Sequence, residues 1–439
     1  MSHTRTVKSR LGLFILFAAV LFPVIVWFLM APLSFRFGDS FMAMTSVGQI
    51  TALIGLSLFA VTLILSARLP IFEDYFGGLD RVYRIHHYSG TIAFVFLLVH
   101  PLVLAVRLIP ISVVDAARFM LPSGDWALNF GLLSLMLMMS LLTVTFFAKW
   151  RYTYLRFAHQ ILGVAFFFGA LHAFLIPSDI AQNPVLRYYM LGLAFIGLLL
   201  YSYRSLFGAV LVKKYVYRVS QVNDLGQGIT EVVMVPEGNR MYYTPGQFLF
   251  ISFRDGGISN EVHPFSISSA PTEDVLRITV KALGDWTSEL KYLNIGSTAQ
   301  IEGPFGTFSY LKSENQKQVW VAGGIGVTPF LNMARNLRVN QRPGLQIDFY
   351  YTTRTEDEMV FRAEFDAIAA ACPGLRFIPY ISERFGFLTA QVIQDMSGDL
   401  HATDIFVCGP PPMMQGLKTQ FLAAKVPRRL IHMEEFKLL

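Results

Sequence analysis

The sequence predicts a multidomain membrane protein. An all-α bundle of six transmembrane helices is expected over residues 1–212, a strand-built domain over 213–312 and an α/β domain with a parallel sheet over 313–439. Three observations carry this. Of the 439 residues, 54% are hydrophobic and only 15% charged, too apolar for an ordinary soluble chain. The apolar excess is confined to the first half, in six stretches nearly free of Asp, Glu, Lys and Arg. After Lys213 the texture changes to short alternating runs punctuated by Gly and Pro, as strands and turns require.

The six stretches cover roughly 11–34, 41–67, 85–106, 126–148, 157–178 and 188–212, the last interrupted by Arg204. Each reaches the ~20 helical residues that cross a bilayer core. The first exceeds the ~7–15-residue apolar region of a secretory signal, and no small-residue cleavage site closes it, so it is expected to stay as a helix. Basic residues then orient the bundle. Arg5, Lys8, Arg10, Arg68, Arg81, Arg84, Lys149, Arg151, Arg156, Arg204, Lys213 and Lys214 flank one side; Arg36, Arg107, Arg118 and Arg187 flank the other. This distribution puts the N-terminus and the soluble half in the cytoplasm of a cell (inner or plasma) membrane. It also accounts for much of the formal charge of +6 without a nucleic-acid partner. Two cysteines, Cys372 and Cys408, leave no disulfide framework and no Cys-ligated iron–sulfur cluster within the chain.

Five of the nine histidines, His86, His87, His100, His159 and His172, fall in or at the ends of predicted helices 3 and 5. Imidazole in hydrocarbon is costly unless something binds it. Both helices run from cytoplasm to outside, so their early histidines are inner and their late ones outer. One imidazole from each of two helices at matching depth is the ligand set of a bis-histidine haem, and two such layers fit. His86 to His100 spans about 21 Å of rise and lies about 40° off one face, whereas His87 and His100 are about 140° apart. The expected metal ligands are therefore His86 with His159 and His100 with His172, and His87 is a polar residue near the inner interface. Gly90 and Gly163, each one turn beyond an inner histidine, are read as clearance for a flat macrocycle. The 13-residue step from His159 to His172 implies a π-bulge or local distortion in helix 5.

The soluble half carries PGQF (245–248), HPFSISSAP (263–271), ITVKALGDWTSEL (278–290) and GPFG (303–306). Phe265, Ser266, Lys281 and the turn Gly284–Thr287 supply the residue types of a flavin site: a stacking aromatic, hydroxyl and backbone donors, and positive charge. In VWVAGGIGVTPF (319–330) an apolar strand runs into a glycine-rich turn and a helix with Pro329 in its first turn. Gly323, Gly324 and Gly326 there suit a backbone that approaches pyrophosphate at a helix N-terminus. The next strand ends in Arg354, where a 2′-phosphate would sit, with Arg384 as a second contact. A later strand ends in Cys408-Gly409-Pro410, and strand ends gathered on one edge of a parallel sheet bind ligands.

The order PGQF, HPFS, VKxxGxxT, GGIGVTP, CGP resembles the ferredoxin–NADP reductase superfamily over about 213–439. The usual Arg of its RxYS motif is replaced by His263. Joined to six helices with paired histidines, this variant resembles the membrane ferric reductase and NADPH oxidase family across nearly the whole chain. The resemblance implies a flavin-binding antiparallel β-barrel over 213–312. It also implies Phe265 and Ser266 at the flavin ring, Lys281 and Thr287 near its pyrophosphate, nucleotide phosphates in the 323–329 turn with Thr328, and Cys408 near the nicotinamide. Phe436, three residues from the C-terminus, would cover the isoalloxazine face. Oxygen-specialised relatives often carry a basic residue one turn beyond the outer ligand of helix 3; Leu104 stands there.

The expected enzyme is a flavohaem oxidoreductase. It passes electrons from NADPH (NADH possible) through FAD and two b-type haems to a small acceptor outside, ferric chelate or oxygen. The alternative is a membrane subunit that supplies a dedicated extracytoplasmic partner protein. A receptor or channel with a degenerate reductase tail fits neither the intact glycine turn nor the histidine pairs.

Overall fold

A computed structural model describes residues 2–148, 152–254 and 256–434, the side chains of 2–10, 152 and 153 excepted. Phe436, Lys149 and Arg151 lie outside the described residues. The chain divides into two compact units, one of Lys8–Val212, the other chiefly of Lys213–Leu439.

Among the described residues, the first unit holds six helical spans long and apolar enough to cross a membrane. They are α1 (Ser2–Leu29), α2 (Ser40–Ser66), α3 (Leu79–Val106), α4 (Trp126–Phe147), the pair α5 (Tyr152–Gln160) and α6 (Leu162–Leu175), and α7 (Pro184–Tyr201). Side chains cap several starts where the first N–H groups lack partners. Asp39 accepts from Met42 N, Asp125 from Ala127 N and Asn183 from Leu186 N. Phe14, Ile25 and Phe195 are among many large apolar side chains left exposed on the unit's surface, as a lipid-facing bundle requires. The fifth span breaks at Ile161 between α5 and α6, where Val164 N bonds back only three residues to Ile161 O. The expected distortion is thus a tightened turn and not a π-bulge. A π-helical turn occurs instead at the end of the sixth span, Ser202–Leu206.

The second unit begins with β1 (Tyr215–Asp224), β2 (Ile229–Pro236), β3 (Phe248–Arg254), β4 (His263–Ser266), β5 (Leu276–Lys281) and β6 (Thr298–Phe305). Their order is β4-β3-β6-β1-β2-β5, antiparallel throughout. A bridge between Ile267 and Ile278 joins the two edges into a nearly closed barrel. Alternate side chains such as Val232, Met234, Leu249, Ile251 and Ile301 fill its interior. A short helix α8 (Asp285–Glu289) follows β5.

The rest is a parallel sheet of β7 (Lys317–Gly323), β8 (Gln346–Thr353), β9 (Leu375–Ile381), β10 (Asp404–Cys408) and β11 (Ile431–Met433), ordered β11-β10-β7-β8-β9. Helices α9 (Thr328–Val339) and α10 (Arg362–Ala371) follow β7 and β8. The chain runs outward from β7 to β9 and then returns to place β10 on the other side of β7. Strand order therefore reverses between β7 and β10, and the crevice above their C-terminal ends is where such sheets take ligands.

Candidate functional site

In the membrane unit the structure brings together His86 with His159 and His100 with His172. Ring centroids lie 6.0 and 6.3 Å apart. An iron held at about 2 Å by one nitrogen of each ring sets two centroids roughly 6 to 6.5 Å apart. His86 Nδ1 donates to Thr62 O at 2.9 Å, His100 Nδ1 to Gly48 O at 2.8 Å and His172 Nδ1 to Ala127 O at 2.8 Å. A carbonyl can only accept, so these bonds fix the proton on Nδ1 and leave Nε2 with its lone pair, the usual support of a metal-binding imidazole. No such partner is seen for His159 among the described residues. The four rings fit two bis-histidine haems. His87 is exposed, one residue round the helix from His86, with its ring against Tyr88.

The supporting carbonyls belong to α2 and α4, which lie directly behind the histidine-bearing helices. Close approach requires small residues: a Cβ on Gly131 would stand 2.8 Å from His172 Nδ1. The expected macrocycle clearance at Gly163 is corrected: Gly163 makes room for the Tyr201 ring, which a Cβ would meet at 2.3 Å. At Gly90 a Cβ would meet only Thr62, at an ordinary 3.5 Å. A cavity of about 420 Å³ adjoins His100 and His172, with Phe166, Met138, Gln49 and Arg107 in its walls. Leu104 also lines it and packs against Gly48. Arg107, two turns beyond His100 and bonded to Thr45 Oγ1 at 2.8 Å, is a basic residue that the sequence marked only as a flank charge. Nearby, Arg36 and Trp27 Nε1 share one carboxylate oxygen of Asp179, at 3.0 and 2.6 Å.

In the barrel, β4 presents His263 and Phe265 on one face and Ser266 on the other. The Trp286 ring packs between Phe265 (5.7 Å), Phe253 (6.1 Å) and His263 (4.3 Å). His263 contacts Glu261 at 3.2 Å; burial lowers its pKa and the Glu261 bond partly offsets this. Ser266 Oγ is buried without a partner. An orphaned hydroxyl on the expected flavin strand fits a missing polar ligand. Lys281 ends β5. Thr287 Oγ1 accepts from Leu283 N and Gly284 N at 2.9 and 3.0 Å, capping its own turn and holding it in shape.

At the sheet edge, Gly323, a 3-10 turn Gly324–Val327 and α9 follow one another, with Thr328 and Pro329 opening the helix. Gly324 adopts φ +52 and faces open space, a backbone conformation glycine accepts freely. A Cβ on Gly326 would stand 2.5 Å from Cys408 O and 2.6 Å from Gly409 Cα. The turn and the Cys408-Gly409-Pro410 corner therefore pack backbone on backbone, a cradle that fits a nucleotide pyrophosphate. The Cys408 thiol is fully buried, and burial together with Glu434 pushes its pKa well up. The thiol is thereby held neutral. Glu434 is itself buried, near Gly306 of the GPFG corner; its position beside Cys408 was not legible beforehand. Arg354 is exposed and bonds Glu383 at 2.8 Å; Arg384 bonds Glu356 at 2.9 Å.

Comparison with known proteins follows these domains. Residues 51–170 match the ferric reductase like transmembrane component, 215–327 an FAD-binding domain and 320–419 an oxidoreductase NAD-binding domain. The ferredoxin reductase component of 3-ketosteroid-9-alpha-monooxygenase from Mycobacterium tuberculosis is 25% identical over 233 residues, which cover 50% of this chain and 64% of that protein. Dual oxidase 2 of Rattus norvegicus is 32% identical over 166 residues, 35% of this chain and 11% of its own. The chain thus spans less than two-thirds of the length of either relative. The crystal structure of flavohemoglobin from Malassezia yamatoensis, with bound FAD and heme, gives a TM-score of 0.50 at 15% identity over 90% of this chain and 98% of its own, a likeness of fold alone. The protein is a multi-pass membrane oxidoreductase with FAD- and NAD(P)-binding domains. On one continuous chain a ferric reductase like transmembrane component thus precedes an FAD-binding and an oxidoreductase NAD-binding domain.

Proposed function

We propose that the protein oxidises cytoplasmic NADPH and delivers the electrons across the membrane to a small acceptor outside, ferric chelate or oxygen, with FAD and two b-type haems as its carriers. The observation that carries this reading is the pair of facing imidazole couples, three of whose four rings are aimed by backbone carbonyls. When bound, flavin takes two electrons as a hydride and releases them singly, and haem passes them singly. The protein's own part is to bind and orient. His86 and His159 hold the inner haem, His100 and His172 the outer one. Phe265, Ser266, Lys281 and the Gly284–Thr287 turn hold FAD, with His263 beside them. Gly323, Gly324, Gly326, Thr328 and Gly409 give the nucleotide phosphates a surface of backbone, Pro329 starts the helix that backs it, and Arg354 takes the 2′-phosphate. Cys408, Ser266 and Phe436 line the place where nicotinamide meets flavin. The domain limits 1–212, 213–312 and 313–439 are part of the same proposal, as is the cytoplasmic side for the second unit.

A visible spectrum of the purified protein, taken anaerobically before and after NADPH, tests this. Haem bands that sharpen on NADPH are expected. A preparation with flavin but no haem sinks the proposal. Haem reduction without turnover on ferric chelate or oxygen, together with a copurifying outer protein, favours the partner-protein alternative.

A further inference from the structure

Helix α9 carries the glycine turn at its start and, further along, two polar side chains that reach out of the α/β domain. Asn332 is fully buried; its Nδ2 donates to Ile267 O at 3.0 Å and its Oδ1 accepts from Gly246 N at 3.3 Å. One turn on, Arg335 Nη1 donates to Ser268 O at 2.9 Å. Its Nε and Nη2 grip Glu364 of α10 at 2.6 and 3.0 Å, and Nη2 lies 3.8 Å from Glu231 of β2. The carbonyls engaged, of residues 267 and 268, follow immediately on Phe265 and Ser266, and Gly246 belongs to the PGQF turn.

Two domains that merely adhered would bury apolar side chains against each other. Burying a guanidinium costs several kcal/mol unless its acceptors are well placed. Here acceptors on the barrel and on the α/β domain fix both position and direction, because hydrogen bonds are directional. From Thr328 to Arg335 is about 10 Å of helix, a stiff rod. Whatever height Asn332 and Arg335 set against the flavin strand is passed to the phosphate cradle at the other end.

We propose that Asn332 and Arg335 are positioning residues for electron transfer from nucleotide to flavin, holding the phosphate cradle in register with the strand that carries Phe265 and Ser266. This rests on the reading of FAD and NADPH above. The step concerned would be a hydride transfer: two electrons and one proton would leave NADPH together, the flavin when bound would gain both electrons and that proton, and NADP⁺ would depart.

The test uses the full chain with bound FAD. Arg335→Gln combined with Glu364→Gln removes the cation together with its closest counter-charge; Arg335→Lys keeps the charge but loses the fork. Three quantities are measured anaerobically: FAD content, the rate at which saturating NADPH bleaches the flavin absorbance, and the flavin difference spectrum on adding NADP⁺. In the double variant FAD is retained, and the bleaching rate falls about ten- to a hundred-fold, the scale of an ångström-size misplacement. The NADP⁺ difference spectrum weakens, and Arg335→Lys is intermediate. A double variant with FAD bound and both the rate and the difference spectrum at wild-type level overturns the proposal. If the double variant loses FAD, Arg335→Lys decides: slowed bleaching supports the role, and wild-type bleaching overturns it. A wild-type protein that binds no FAD instead sinks the functional reading itself.

Discussion

In the membrane unit, three ligand-type rings are aimed by carbonyls of the helices behind them: Thr62 for His86, Gly48 for His100, Ala127 for His172. In the soluble unit, the turn at 323–329 is shaped by side chains that are missing, with Gly326 pressed against Cys408 and Gly409. The first design depends on a few side chains, each with its own support. The second depends on backbone surfaces that fail together when anything is added. One site should therefore lose its parts one at a time, and the other should fail by collision.

The largest expected effect follows from the first design. His86→Ala or His172→Ala should each lower haem content from two per chain to one, whereas His87→Ala keeps two. Haem-to-protein ratio of the purified variants measures this. A drop to one haem in His87→Ala would reverse the inner assignment, and full occupancy in His172→Ala would remove the outer one.

Next comes the collision. Gly326→Ala puts a methyl 2.5 Å from the Cys408 carbonyl, backbone that cannot swing aside. Overpacking of this kind costs about 1–3 kcal/mol or more, and the strained atoms form the cradle itself. NADPH turnover should fall by at least about tenfold, 1.4 kcal/mol being a factor of ten. Gly416→Ala is the contrast. Its Cβ meets nothing within 4 Å and its φ lies outside the left-handed range, so NADPH turnover should stay near wild type. If both alanines behave alike, close approach is not what matters at Gly326.

The same contrast explains what could be read from sequence. Histidines in an apolar helix stand out because hydrocarbon makes them expensive, and helical phase separated His86 from His87. The glycine turn showed in residue type, and the sheet order placed it at the strand reversal. What stayed hidden depends on partners far along the chain. Gly163 reads as cofactor clearance until Tyr201 is seen against it. Arg107 reads as a flank charge until its cavity is seen. Asn332 and Arg335 look like ordinary helix polarity, since residues 267 and 268 that they hold are more than sixty positions away.

A smaller effect concerns nucleotide choice. Arg354 already bonds Glu383, and it is exposed, so a 2′-phosphate must displace a carboxylate that water also screens. A proposed NADPH preference carried by this edge should then be modest. Glu383→Gln should raise the NADPH-to-NADH ratio of kcat/KM by a few-fold, and Arg354→Ala should bring it towards one. Binding of 2′-phospho-AMP against AMP gives the same comparison without turnover. A ratio unmoved by both substitutions would take the 2′-phosphate away from this edge.

The smallest effect is a pH dependence in the barrel. Burial lowers the pKa of His263 from 6.5, and the contact with Glu261 only partly restores it. The folded form therefore resists protonation more than the unfolded form does, and the unfolded chain binds more protons as pH drops. The contribution of His263 to stability is complete above pH 6.5 and is lost as pH falls through the lower folded value. One half-buried ring makes this a shallow slope. Asp404 behaves separately. Burial alone would raise its pKa, but bonds from His432 and Ser313 outweigh that and leave it below 3.8, so its share is lost only at stronger acid. Thermal unfolding of the flavin-loaded protein, followed by flavin fluorescence between about pH 7.5 and 5.5, should show a falling midpoint, and His263→Gln should flatten it. An unchanged slope in the variant would mean that His263 titrates alike in both states, with the Glu261 contact cancelling the cost of burial beside Trp286.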